Sequence, residues 1–140
     1  MIILQLFNVL KCGGDAGADA ISKVIPIAGD ITLPGLGISP EDAAVLAEKV
    51  SVVIHSAATV KFDEPLKKSI KINVEGTKKI LDLARTMKNL SSVVHVSTAY
   101  SNCERPEISE IIYPVGIDPN NAIHTFDWMD EDLVQSITPK

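Results

Sequence analysis

Two short stretches place chemistry-bearing residues at corresponding points. Val52-Val-Ile54 is an apolar, β-branched run that leads into His55-Ser56-Ala57-Ala58-Thr59. Ser92-Val-Val-His-Val96 leads in the same way into Ser97-Thr98-Ala99-Tyr100. Such runs read as strands buried on both faces, as in parallel sheets, whose carboxyl ends are where α/β proteins bind ligands. Small residues there let a ligand approach the backbone. A hydroxyl held there can donate to a carbonyl oxygen as negative charge develops on it. One strand ending in Ala-Ala and another in Ser-Thr is therefore the pattern that a nucleotide-dependent carbonyl reduction needs. The first lies against the cofactor and the second aims a donor at the substrate.

These ends must be positioned by the elements around them. Residues 1–22 form a poorly defined N-terminal segment, in which residues 2–9 fit a helix or a strand. Gly13-Gly-Asp-Ala-Gly17 lacks the G-x-G-x-x-G spacing and carries a repelling carboxylate, so it reads as a flexible connector rather than a phosphate loop. Lys23-Val-Ile-Pro-Ile-Ala28 reads as a short strand, and Pro26 favours an edge position. Gly29-Asp30-Ile31 lies at its end, and residues 32–38 form a loop. Ser39 caps a helix that runs to about Val50, with Pro40 first inside it and Glu41 and Asp42 at its positive end. Asp63 reads as the cap of a long helix whose inner face is Leu66, Ile70, Asn73, Thr77, Ile80, Ala84 and Met87. After Asn102, Pro106, Pro114 and Pro119 break the pattern, and Asp127 could cap one last helix with Met129, Leu133 and Ile137 inside. Strands alternating with helices in this way predict an α/β fold with parallel crossovers.

Composition narrows the function classes. The net charge of −5, with no basic cluster larger than a Lys pair, argues against nucleic-acid binding. No apolar run reaches membrane-spanning length, and the first ten residues lack the positive region and cleavage site of a signal peptide. Cys12 and Cys103 form neither a disulfide framework nor a metal spacing, which suits a reducing compartment. His55, His95 and His124 show no ligand spacing and read as satisfying local hydrogen bonds, so no metal site is expected. Lys78 and Lys79 read as a solvated helix face.

Several spaced motifs, in order, carry a resemblance to a known family. They are Lys23-Val-Ile-Pro-Ile-Ala-Gly-Asp30, Leu36-Gly-Ile-Ser39, Val53-Ile-His-Ser-Ala-Ala-Thr-Val-Lys-Phe62, Ile72-Asn-Val-Glu-Gly-Thr77 and His95-Val-Ser-Thr-Ala-Tyr-Ser-Asn-Cys103. Asp127-Trp-Met-Asp130 and Ile137-Thr-Pro-Lys140 fit as well. Together they resemble the fatty acyl-CoA reductases, with their male-sterility-like NAD-binding domain, within the extended short-chain dehydrogenase/reductase superfamily. The resemblance implies a partial Rossmann-like doubly wound parallel sheet lacking its first strands. Residues 23–140 would be the central part of an NAD(P)-binding reductase domain, cut at both ends. It implies NADPH as cofactor and a long-chain fatty acyl-CoA as substrate, reduced through the aldehyde to the primary alcohol by two hydride transfers. Membrane association, at the endoplasmic reticulum or peroxisome in the family, would lie in regions absent from this chain. Other extended short-chain reductases, acting on a sugar nucleotide or a small ketone, and a non-catalytic fragment or pseudoenzyme are the alternatives.

The resemblance also implies roles for residues. Asp30, with Ile31 beside it, would lie near the adenine ring, although Asp30 alone is equally a turn residue. Ala57 and Ala58 would lie against the ribose and nicotinamide side. Asn73 would bridge the strand ends and support the hydrogen-bond network of the active site, counting among both its catalytic and its cofactor-binding residues, or simply lock helix to sheet. Thr98, with Ser97 second, would hold the substrate carbonyl. The family's Gly-rich pyrophosphate loop and its Tyr-x-x-x-Lys do not occur in this sequence. By this reading residues 1–140 are inactive alone and do not fold stably, with residues 23–28 left as a third strand without its neighbours.

Overall fold

The structure, a computed structural model, describes residues 19–61 and 63–138. The expected element at residues 2–9 and the Gly13–Gly17 connector lie outside the described residues. The centre is a parallel pair, β1 (Val52–His55) and β2 (Ser92–His95). Its register sets Val52 opposite Ser92 and His55 opposite His95. After helical residues 19–22, the helices are α1 (Pro40–Lys49), α2 (residues 66–85), α3 (Pro119–Trp128) and α4 (Glu131–Ile137), with a tight turn at Pro34–Gly37. The β1–α2–β2 order is the crossover expected of parallel neighbours.

The start of α1 is as its sequence predicts. The Ser39 hydroxyl accepts from the Asp42 N–H at 3.0 Å, Pro40 opens the helix, and Lys49 lies in its last turn. α2 does not begin on an Asp63 cap. Pro65 occupies the cap position with extended backbone, and Asp63 lies in the preceding turn, too far back for its carboxylate to serve the first amides. α2 runs as α-helix over Leu66–Ser69, widens to π-helix over Ile70–Glu75 and returns to α-helix over Gly76–Arg85. A widened turn breaks the 3.6-residue register, so the predicted single face does not stay buried. Ala84 is buried, whereas Asn73, at the middle of the π segment, is exposed.

Beyond β2 the chain differs more from expectation. Pro119 does not break structure. Its fixed φ suits the first position of α3, and Asp118 caps that helix by accepting from the Asn120 N–H at 2.7 Å. The last helix is capped by Asp130 rather than Asp127 and buries Val134 rather than Leu133 or Ile137. Moving the cap by three residues changes which face meets the molecule. The Lys67 ammonium donates to the carbonyls of Asp127 and Met129, fastening the α3–α4 elbow onto α2.

Two strand expectations also change. Residues 24–30 form no regular element and join no ladder among the described residues, and Ile25 is 80% exposed. A strand needs a partner, and Pro26 removes one of the donors with which to recruit it. β1 is not buried on both faces. Ile54 is 69% exposed, whereas His55 is buried, because the described elements cover only the Val53 and His55 side of β1. All four residues of β2 are exposed.

Candidate functional site

β1 and β2 end side by side, so the residues that follow them emerge along one edge. The Val96 N–H donates to the His55 carbonyl at 2.8 Å, continuing the pairing one step past the strands. At that step the two imidazoles stack, and their Nδ1 atoms lie 2.9 Å apart. The contact joins two strands rather than sequence neighbours, and it leaves the buried His55 Nε2 without a hydrogen-bond partner among the described residues. The parallel register thus places Ala57 and Ala58 beyond one strand and Ser97 and Thr98 beyond the other, all exposed.

The loop after β1 is held by Asn73. Its Oδ1 accepts from the Thr59 N–H at 2.9 Å, and its Nδ2 donates to the Thr59 carbonyl at 3.3 Å. One side-chain amide therefore satisfies both backbone groups of a residue adjacent to Ala58, as a strand partner would. The π turn presents Asn73 in this direction, and the Thr77 hydroxyl donates to the Asn73 carbonyl at 2.6 Å. Glu64 adds a second anchor, accepting from the Thr59 hydroxyl and pairing with Lys68. The Lys68 ammonium, and then Thr59, hold its carboxyl below the ordinary range.

A second loop carries Asp30 and Ile31. Asp30 Oδ1 accepts from the Thr32 hydroxyl at 2.7 Å and the Thr32 N–H at 2.8 Å, and these donors hold its carboxyl below 3.8. The Asp30 N–H donates to the Leu36 carbonyl, closing a turn in which buried Leu36 takes a φ of 61°. That left-handed conformation is costly for a branched side chain and is tolerated where burial over-determines it. Ile31 packs against Gly76 of α2 so closely that a Cβ on the glycine would lie 2.5 Å from Ile31 Cγ1. Lys79, one turn further on, donates to the Thr32 carbonyl at 3.2 Å and pairs with Glu75. The expected solvated role fails for Lys79, whose half-buried ammonium satisfies loop carbonyls. α2 is therefore the common strut of both loops, through Asn73 on one and Gly76 and Lys79 on the other.

The hydroxyls after β2 divide their duties. Thr98 Oγ1 accepts from the Tyr100 N–H at 3.2 Å, which fixes the oxygen and is compatible with donating its hydrogen outward. Ser97 Oγ lies 3.4 Å from Ser101 Oγ, so the two hydroxyls share one hydrogen bond. Among the described residues no hydrogen bond joins Asn73 to Thr98 or Ser97. Asn73 and His95 do line one cleft of about 440 Å³, with Thr77, Leu81, Asn120 and Ile123.

Sequence reasoning missed Gly76, Lys79 and Glu64. A glycine inside a helix was the available signal, since it costs helix stability unless something must approach closely. Nothing in the residue pattern pointed to the long-range bond of Lys79. For a nucleotide cofactor the described parts fit. They offer exposed small residues at a parallel strand end, an ionised Asp30 in a turn closed by backbone, and loops tied to one helix.

Comparison with known proteins gives a consistent picture. A family model described as male sterility protein matches residues 4–139. Fatty acyl-CoA reductase 1 of Xenopus laevis is 43% identical over the full 140 residues, which cover 27% of that relative. Fatty acyl-CoA reductase 1 of Homo sapiens is 41% identical over 136 residues, 97% of this chain and 26% of the relative. The fatty acyl-CoA reductase wat of Drosophila melanogaster is 46% identical over 117 residues, 84% of this chain and 23% of the relative. The chain thus spans about a quarter of the length of these curated relatives.

Proposed function

The chain belongs to the male sterility protein family, whose NAD-binding domain takes a nicotinamide cofactor, and we propose that it is the central part of an alcohol-forming fatty acyl-CoA reductase. In this reading β1 and β2 are the fourth and fifth strands of a Rossmann-like doubly wound sheet. The observation that carries it is the shared edge. Parallel pairing ends β1 and β2 at the same level, with Ala57-Ala58 following one strand and Ser97-Thr98 the other, and Asn73 pins the first loop through Thr59.

The cofactor is proposed to be NADPH, which supplies hydride when bound. Asp30 and Ile31 face its adenine side, and Ala57 and Ala58 admit its ribose and nicotinamide side against the backbone. Thr98 donates to the carbonyl oxygen of a long-chain acyl-CoA, stabilising the charge that develops as hydride arrives. Thr98 is preferred to Ser97 because Tyr100 fixes its oxygen, whereas Ser97 is paired with Ser101. Asn73 keeps the cofactor-side loop in place rather than touching the reacting atoms. No helix among the described residues is long and apolar enough to cross a membrane. Attachment to the endoplasmic reticulum or peroxisome is proposed to reside outside this chain.

The test is to incubate the full-length protein with NADPH or NADH and palmitoyl-CoA, then identify the product. Hexadecanol, formed with two NADPH oxidised per thioester, is the expected result. Cofactor oxidation only with a sugar nucleotide or small ketone, or none with any substrate, contradicts the reading.

A further inference from the structure

The last rung of the sheet differs in kind from those before it. Val53 pairs with Val93 and Ile54 with Val94, whereas His55 pairs with His95. Across this rung the Val96 N–H donates to the His55 carbonyl, and the stacked rings meet Nδ1 to Nδ1. Backbone and ring of one residue therefore both tie β1 to β2 where the strands end.

Packing does not account for an imidazole here. His55 is 5% exposed, and its Nε2 is closed off with no hydrogen-bond partner among the described residues. A phenyl ring would fill the same space without orphaning a polar atom. What a phenyl ring cannot do is bond His95. A buried group that breaks the pairing rule needs a reason, and the Nδ1 contact is the one the structure offers.

Thr98 lies three residues past His95 and is bonded within its own turn. Its Oγ1 accepts from the Tyr100 N–H at 3.2 Å, and its carbonyl accepts from the Ser101 N–H at 3.3 Å. These bonds shape the turn, but neither reaches β1. The loop after β1 is placed by Asn73 of α2 through Thr59. The rung of His55 and His95 joins the two loops at their roots.

We propose that His55 is a positioning residue for the reduction: by bonding His95 it fixes where the turn after β2 holds the Thr98 hydroxyl relative to the loop of Ala57 and Ala58. The inference rests on the reading of Thr98 as carbonyl donor and names the residue through which β1 sets that donor's place. His55, being buried, acts through His95 and touches no substrate.

The experiment uses the full-length protein at pH 8, well above the ordinary histidine value. The parent is compared with His55→Phe, His55→Asn, Thr98→Val and the double variant of His55→Phe with Thr98→Val. Phenylalanine keeps the ring and removes Nδ1, whereas asparagine is uncharged and sets an amide near the place of Nδ1. Single-turnover hydride transfer from NADPH to palmitoyl-CoA, NADPH affinity, melting temperature and amide hydrogen exchange over residues 96–101 are measured. His55→Phe should slow transfer by about tenfold or more, an effect within the reach of a small misplacement of a reacting group. It should leave NADPH affinity unchanged, melt no lower than the parent and exchange faster over residues 96–101. His55→Asn should restore both the rate and the protection. The double variant should be no slower than Thr98→Val, because both changes act on one donor. An unchanged rate in His55→Phe, an asparagine variant as slow as the phenylalanine one, or additive losses in the double variant overturns the proposal. So does a rate lost only together with a lowered melting temperature. If the parent oxidises no NADPH with palmitoyl-CoA while exchange still separates the two His55 variants, the reductase reading fails and the placing of the Thr98 turn by His55 stands.

Discussion

The imidazoles of His55 and His95, paired in the β1–β2 register, meet Nδ1 to Nδ1 at 2.9 Å with ring centres 4.9 Å apart. One ring must donate and the other accept, so the contact excludes protonation of both at those atoms. Burial, and then the charge of His95, holds His55 below its ordinary value of 6.5. The unfolded chain therefore binds a proton that the folded chain resists. The stability contributed is complete above about 6.5 and is lost as pH falls from there through the lower folded value. Melting temperature of the full-length protein should drop between pH 7.5 and 5.5, and His55→Phe should flatten that slope. Asp30, Glu64 and Asp118 also have lowered values, but as carboxylates they act in a separate, more acidic window. Equal slopes in parent and variant would remove His55 from the account.

Gly76→Ala should destabilise the protein although alanine is the better helix former. The propensity gain is about 1 kcal/mol. The added Cβ would meet Ile31 Cγ1 at 2.5 Å and Cδ1 at 2.7 Å, and overpacking of this kind costs about 1–3 kcal/mol. Because Ile31 adjoins Asp30, nicotinamide-cofactor affinity should weaken too. A stabilised variant with unchanged affinity would show that the Asp30 loop does not depend on α2.

Asn73→Leu should lower cofactor affinity and cost about 1–2 kcal/mol, since two hydrogen bonds to the Thr59 backbone vanish. Lys71→Ala, on an exposed turn of the same helix, is the control. Equal affinities and melting points for both variants would deny Asn73 its positioning role.

Much of this arrangement was legible because it is local. Ser39-Pro40 fixes the start of α1 through its own neighbours, and the β-branched runs at 52–54 and 92–96 mark strands whatever surrounds them. What stayed hidden depends on distant partners or on the sign of a local rule. Pro119 reads as a breaker until Asp118 is recognised as the cap before it. The π turn in α2 left Asn73 on the surface, yet still paired, where simple periodicity buried it. The Lys79 bond to the Thr32 carbonyl crosses from helix to loop, and no spacing in the sequence signals it.

Residues 1–140 expressed alone should unfold without a sharp transition. Leu36, Ala84 and Val134 are the fully buried apolar residues among those described, while Val52, Ile54, Val93 and Val94 on the sheet are exposed. A marginal core and an uncovered apolar sheet also predict self-association, measurable by light scattering. A cooperative thermal transition from a monomer would contradict this.

The central claim is that the end of β2 supplies the donor that polarises the substrate carbonyl, with Thr98 as that donor. It is tested most directly by single-turnover hydride transfer from NADPH to palmitoyl-CoA in the full-length protein carrying Thr98→Val. The change keeps the side-chain volume and removes the hydroxyl. The account predicts a rate lower by about a hundredfold or more, matching the roughly 3 kcal/mol lost with one such donor, and unchanged NADPH affinity. A transfer rate equal to the parent's, or one lost only through weakened NADPH binding, would contradict it.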